Sequence, residues 1–452
     1  MKYAVIGSGP CGSLAALLLL RAGHQVELYD VDSNHSLNSE SLTFRMKLVG
    51  GSSAPYDIQQ ILKVYKAETP LGIYRSKISG GFSNVWGSTW GAQPSLGDRD
   101  WLKHHKSITN LLLEEGYLEE NSNKSCDCFR ALANPIEELG TLQNTNAGKT
   151  QLALNSAKCD CIQRGRSSCT HFGVWNSKSL ISKCSAFDGF SLNTGKDVIR
   201  IDKIDFGLLL AGESFSHEFD SVILAAGSIG SVEILLNSLP ETPSLSLKDT
   251  RMAFLPLLRF GIRTKHKGGF AFSQYSIDTL FGQTQLKAHI QLYSDSEIYR
   301  DRILGKIPTF LSPIVGSFLN SLLPHLAIAI IYVDSDASHQ VRFRKAEGER
   351  KLIVDFLSPM FSVRGLKTQL WKIFRRIGFF PLLPLLSWSR PGESYHLGAV
   401  GNQLLDEFGS VTTLPGLHVA GAISLPQIEP GPITHSAMAQ TSRLIERLLT
   451  KI

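Results

Sequence analysis

At 452 residues the chain can bury more than one sizeable core, and 43% apolar against 19% charged residues marks a globular rather than a disordered protein. A net charge of +6 suits an anionic cofactor or anionic lipid and falls short of a nucleic-acid footprint, so no nucleic-acid partner is expected. No basic leader or small-residue cleavage site precedes the first apolar run, and no apolar run reaches about 18 residues, so a cytoplasmic chain with reduced thiols and no spanning helix is expected.

Residues 2–6 read as a buried parallel strand. The turn Gly7-Ser8-Gly9-Pro10-Cys11-Gly12 follows without a spacer, then helix formers over 13–22, with Gly23 at the C-cap position. A second strand over 24–29 ends in Asp30. Gly7 allows a tight turn, Gly9 lets the backbone approach a pyrophosphate, and Gly12 lets the helix pack on the strand. The helix start offers N–H groups to phosphates, and Asp30 can accept from a ribose hydroxyl. An acid here argues against a 2′-phosphate and hence against NADP.

The next notable stretch is 79–91, with Gly81, Ser83, Asn84, Trp86 and Gly87. Glycines and small hydroxyls beside two tryptophans suit a backbone laid against a planar ligand rather than a plain surface loop. A helix is expected over 101–115. Cys126, Cys128, Cys159, Cys161, Cys169 and Cys184 crowd 97–190, but their spacing fits no standard zinc or iron–sulfur signature, so no metal is expected.

Strands over 198–201, 207–210 and 214–219 suggest a meander. A buried strand from 220 then meets a glycine turn with Ala226 and Gly227 before a helix over 231–237, a second wall for the same site. Strands over 252–262, 270–276, 286–293, 327–333, 340–344 and 352–356 predict a separate antiparallel sheet. Apolar segments at 307–323 and 366–388 carry basic flanks and are broken by prolines. They fit an interfacial membrane contact, a lipophilic substrate tunnel or ordinary core. His396 lies in Tyr-His-Leu-Gly, and 417–424 holds another glycine turn with Gly421 and Ala422. Pro432, Ile433, Thr434 and His435 open the final helix, over 436–449.

Taken together, the fingerprint at 7–30, the GGxSNxWG loop, VILAAGSIGS and the C-terminal YHLG…GLHVAGAISLP…PITHSAMA resemble the glucose–methanol–choline (GMC) flavin oxidoreductases, in that family's order along nearly the whole chain. The resemblance implies an α/β fold. A Rossmann-like FAD-binding domain of the p-hydroxybenzoate-hydroxylase/GMC type would comprise 1–50, 76–95, 190–250 and 391–452. A Cys-containing insert would span 96–189. A second domain over 251–390 would combine an antiparallel sheet with helices. The resemblance further implies FAD held by Gly7, Gly9, Pro10, Gly12, Asp30, Gly81, Ser83, Asn84, Trp86, Gly87, Ala226, Gly227, Gly421, Ala422, Pro432, Ile433 and Thr434. It implies oxidation of an alcohol by hydride transfer to flavin N5, with His396 as base and His435 as the nearest candidate for the family's second polar residue. Gly421 stands where the family usually carries an aspartate. The expected substrate is a small-molecule or lipid-linked alcohol, lipophilic or glycan-linked, the apolar segments motivating the lipophilic part, with an unidentified electron acceptor and a peripheral membrane contact. Two other readings stay open, a redox-neutral flavin isomerase or mutase and a non-catalytic flavoprotein.

Overall fold

The computed structural model describes residues 1–32, 61–63, 73–84, 86–91, 99–118, 136, 138–139, 144–155, 173–259, 272–293, 316–317, 325–345, 352–401 and 404–450. Cys126, Cys128, Cys159, Cys161, Cys169, and the segment 307–323 apart from 316 and 317, lie outside them. Among the described residues no group of three or more His, Cys, Asp or Glu could hold a metal ion, and no helix is long and apolar enough to cross a membrane.

Five strands form a parallel sheet in the order Leu417–Val419, Ser221–Leu224, Lys2–Ile6, Gln25–Tyr29, Phe190–Asn193. The central strands are apolar on both faces because both are covered. One face meets the helices Pro10–Arg21, Lys178–Cys184 and Thr434–Thr450, which enclose Leu14, Leu17, Trp175 and Met438. The other meets helix Gly227–Ser238 and the three-stranded meander Val198–Ile204, Gly207–Gly212 and Ser216–Phe219.

The antiparallel sheet has seven strands. Its path runs Phe380–Pro381, Met252–Leu258, Leu326–Val333, Leu286–Tyr293, Tyr275–Phe281, Thr145–Lys149, with Ser387–Trp388 pairing Met252–Leu258. The strand expected over 270–276 lies at Tyr275–Phe281, and Gln340–Lys345 and Leu352–Leu357 join Ser244–Lys248 in a separate sheet instead. The described elements of 96–189 pack on the rest of the chain. Helix Arg99–Glu114 packs on the final helix, Thr145–Lys149 edges the antiparallel sheet, and Lys178–Cys184 packs on the first helix.

Strand alternation gives the seven-stranded sheet two different faces. Ala253, Leu255, Ile290 and Ile331 join the core beneath helix Leu366–Arg376, while Met252, Phe254, Tyr293 and Ile330 cluster on the opposite side. Helix Leu366–Arg376 buries Leu366, Leu370, Ile373 and Phe374 at helical spacing and leaves its cations exposed. Truncating Phe374, fully buried there, should lower stability by about 3–5 kcal/mol in denaturant titrations, through lost transfer energy plus a cavity.

Candidate active site

The site is built where strand ends meet helix starts. Gly7 adopts φ +100°, and a Cβ there would lie 2.4 Å from the Ala225 carbonyl oxygen. At Gly12 a Cβ would lie 1.9 Å from the Gly7 carbonyl oxygen. Any side chain at either position would push the first helix off the strand turn. Gly9 is extended and Pro10 occupies the first helical turn, with no side chain capping the helix start. Gly9, Pro10 and Cys11 therefore front a cavity of about 480 Å³.

That cavity is lined from many parts of the chain. Of the expected site residues, Gly7, Gly9, Pro10, Asp30, Gly81, Ser83, Trp86, Gly87, Ala226, Gly227, His396, Gly421, Ala422, Pro432, Ile433 and Thr434 all lie on its wall. Gly12 is set back as the packing glycine, and Asn84 is turned into its own loop, where its amide donates to the Ser79 and Gly81 carbonyls. None of 366–388 lines the cavity.

Asp30 is fixed at the end of its strand, with Oδ2 accepting from the Ser8 amide at 3.1 Å and Oδ1 from the Asp32 amide at 2.8 Å. Burial pushes its carboxyl above the usual range, against those hydrogen bonds, which favour the carboxylate. Asp32 in turn accepts from the Ser79 amide at 2.9 Å. Ser8 Oγ accepts from the Gly80 amide at 2.8 Å, and Ser177 Oγ donates to the Ser8 carbonyl at 2.9 Å. These contacts clasp the 79–84 turn to the first turn. Ser8, Asp32 and Ser177 were not singled out in the sequence. Trp86 donates from its indole to the Trp175 carbonyl at 2.9 Å, which anchors the far end of the loop.

His396 enters the opposite wall. Tyr395 before it takes φ +64°, a strained conformation for a non-glycine residue, and stacks on Tyr74. The His396 amide is held by Ser394 Oγ, whose hydroxyl donates to the buried Asp249 carboxylate. Burial raises that carboxyl to about 6. The His396 ring stacks on Tyr332 with centroids 4.8 Å apart, and Nδ1 lies 3.1 Å from the Thr250 hydroxyl. Burial, with His289 nearby, lowers this imidazole to about 3, so it is neutral at pH 7.

His435 does not share this wall. As the second residue of the final helix it turns toward helix Arg99–Glu114, stacking on Trp90 at 4.3 Å while Nε2 donates to the His105 carbonyl at 2.9 Å. Pro432 to Thr434 face the cavity in its place. A different imidazole reaches this end of the molecule from the antiparallel sheet: His289, whose Cγ would lie 3.1 Å from a Cβ at Gly431. It escaped the sequence reading because a lone histidine in an alternating strand carries no local signature.

No protein-family model matches the sequence, and no curated protein matches it either. Among solved structures, the fold is similar to pyridoxine 4-oxidase from Mesorbium loti. The TM-score is 0.64 at 12% identity, over 99% of this chain and 98% of that one. The likeness spans both sheets and so shows a common fold.

Three buried imidazoles respond to acid together. Burial holds His105 and His396 at about 3 and His435 at about 4. In the unfolded chain each titrates near pH 6.5. Between these limits the unfolded state binds more protons, so stability is full above about pH 6.5 and falls as pH drops, by up to about 1.4 kcal/mol per pH unit per imidazole. Urea titrations from neutral to mildly acidic pH should show this fall. His105→Leu should make it shallower, since both ring nitrogens of His105 are buried without a hydrogen-bond partner.

Proposed function

We propose that this chain is an FAD-dependent oxidoreductase that oxidises an alcohol CH–OH group, with His396 as the base. The observation that carries the reading is the convergence of the 7–12 turn, Asp30, the 81–87 loop, the 421–434 stretch and His396 on one cavity. The full-length fold likeness to a pyridoxine 4-oxidase and the GMC resemblance in the sequence both support it.

The residues present fit FAD. The uncapped helix start and the side-chain-free approach at Gly9 suit a pyrophosphate, and Asp30 suits a ribose diol. The 81–87 loop with Trp86, together with Gly421, Ala422 and Pro432 to Thr434, would hold the isoalloxazine. In this reading the parallel sheet is the Rossmann-like FAD-binding domain. Bound FAD would supply the hydride acceptor. The chain's own part is positioning and proton transfer: His396, kept neutral by burial and oriented by Thr250 and Tyr332, takes the hydroxyl proton as the C–H bond breaks. The remaining electron acceptor is a separate small molecule or protein.

His396→Ala should retain FAD and slow its anaerobic reduction by alcohol about 10²- to 10⁴-fold. Stopped-flow bleaching of the flavin band reads this directly. Normal reduction in that variant, or purified protein that takes up no FAD, defeats the proposal.

The reading extends to a surface partner, an anionic phospholipid membrane. Between Asp355 and Glu393 the chain has no acid and carries Arg364, Lys367, Lys372, Arg375, Arg376 and Arg390. Trp371 and Phe380 are about 40% exposed, 40% and 42% respectively, and touch edge to face under Arg375. Aromatics amid cations match the headgroup region of an acidic leaflet. This face lies across the antiparallel sheet from the cavity, so docking would anchor the protein without feeding the site from the bilayer. Sedimentation with phosphatidylglycerol-containing vesicles should pull the protein down at low salt, and Lys372→Glu with Arg376→Glu should release it. Equal binding to neutral vesicles, or none, rejects the contact.

A further inference from the structure

The segment that joins strand Ser244–Lys248 to strand Met252–Leu258 runs as a rail along the stretch that carries His396. Lys248 and Gly398 exchange both backbone hydrogen bonds, at 2.8 and 3.1 Å. At the other end the Ser389 amide donates to the Met252 carbonyl at 2.8 Å, and the Met252 amide donates to Ser389 Oγ at 3.2 Å. Between these ties Asp249 and Thr250, both buried, meet the loop 390–396. That loop needs holding. Tyr395 at φ +64° and Ala399 at φ +53° bracket His396 in a region that side chains rarely adopt, and such residues persist only where their surroundings fix them.

Asp249 does the fixing on the Tyr395 side. Its Oδ2 accepts from the Gly392 amide at 2.8 Å, and its Oδ1 accepts from the Ser394 hydroxyl. The direction at Ser394 follows from the backbone. The His396 amide can only donate, and does so to Ser394 Oγ at 3.0 Å, which leaves the serine's own hydrogen for the carboxylate. A buried carboxylate is costly unless donors meet it, and two of its donors here come from the loop that leads into the histidine. Of the surrounding charges, Arg251 on the same rail favours the ionised form. Lys248 is paired with Asp336 and Arg75 with Glu233, and the Glu393 carboxylate accepts from the Arg390 amide.

Building on the reading of His396 as the base, we infer that Asp249 is its positioning residue: the ionised carboxylate, acting through Ser394, holds the imidazole in its place on the cavity wall. Protonation of Asp249 undoes this. A carboxylic acid gains a hydrogen that must itself be accepted, while Ser394 Oγ already accepts from the His396 amide. Burial raises this carboxyl to about 6, whereas burial keeps His396 neutral down to about 3. An acid limb near pH 6 in the proton-abstracting step therefore belongs to Asp249 and not to the base.

The test follows anaerobic reduction of the FAD-loaded protein by benzyl alcohol from mildly acidic to neutral pH. Beside it runs the nuclear magnetic resonance signal of the His396 ring, under carbon labelling at histidine Cε1 and identified by its loss in His396→Ala. Wild-type reduction should slow as pH falls through about 6. Asp249→Asn should retain FAD, reduce it about 10- to 100-fold more slowly at neutral pH, and show no such limb. Ser394→Ala should be slowed to a similar degree, and the double variant should be no slower than either, because both residues lie on one path. The His396 signal should move in both single variants. A carboxylate that only closes the turn would lower stability and leave the ring signal and the acid limb where they were. Wild-type rates in either single variant, additive losses in the double variant, or an unmoved ring signal overturns the inference. A wild type that benzyl alcohol does not reduce, with a ring signal that moves as expected, would count against the oxidation reading and leave the positioning by Asp249 standing.

Discussion

The structure rests on a backbone contact. The turn after the first strand presses against Ala225 at the end of the Ser221–Leu224 strand, and the first helix presses against the turn at Gly12. Side chains are excluded at both points, so two adjacent parallel strands and a helix start meet at near van der Waals distance. The helix N-terminus is thereby aimed across the strand ends, where the cavity lies. Everything around it is secured to this point: Asp30 through the Ser8 amide, the 79–84 turn through Ser8 Oγ and Ser177, and the 421–434 stretch through the adjoining strand Leu417–Val419.

Opposite this rigid wall stands a wall of different chemistry. The antiparallel sheet contributes Gln291, Tyr293, Ile330 and Tyr332, and the 392–397 loop contributes His396. One wall presents glycines, backbone and a helix start; the other presents imidazole, phenol and amide. The first kind of surface suits a large anionic group, and the second suits a small polar molecule. The split follows from the strands themselves, parallel with empty turns at their ends on one side, antiparallel with side chains standing on the face on the other.

Legibility in the sequence followed the range of each constraint. The strand–turn–helix at 2–30 could be read because all its parts are consecutive and its steric demands admit only glycine. The meander and the final helix were legible by periodicity, within one or two residues at most ends. The motif around His396 had set it beside the glycine turns, and it does lie on the cavity wall with them. The orientation of His435 was not legible, because the helix start fixes its position but Trp90 and His105, both over 300 residues earlier by number, decide where its ring packs. His289 was hidden for a similar reason: it is an ordinary strand residue until register sets it opposite Asp278. Which face of the antiparallel sheet helix Leu366–Arg376 covers was not legible either, because apolar content is the same for a helix on either face.

The cavity walls draw on residues from Ile6 to Ala437, and the last parallel strand to join the sheet, Leu417–Val419, is also late in the chain. Contacts of that span close last, since the intervening loops must be ordered before they are rewarded. During synthesis the early strands, helix Pro10–Arg21 and the glycine turns therefore emerge without the strand and helix that complete their shelter. The apolar surface of that helix, buried in the finished protein against Thr434–Thr450, stays open to solvent or to a chaperone until that last helix, more than 400 residues later, has left the ribosome.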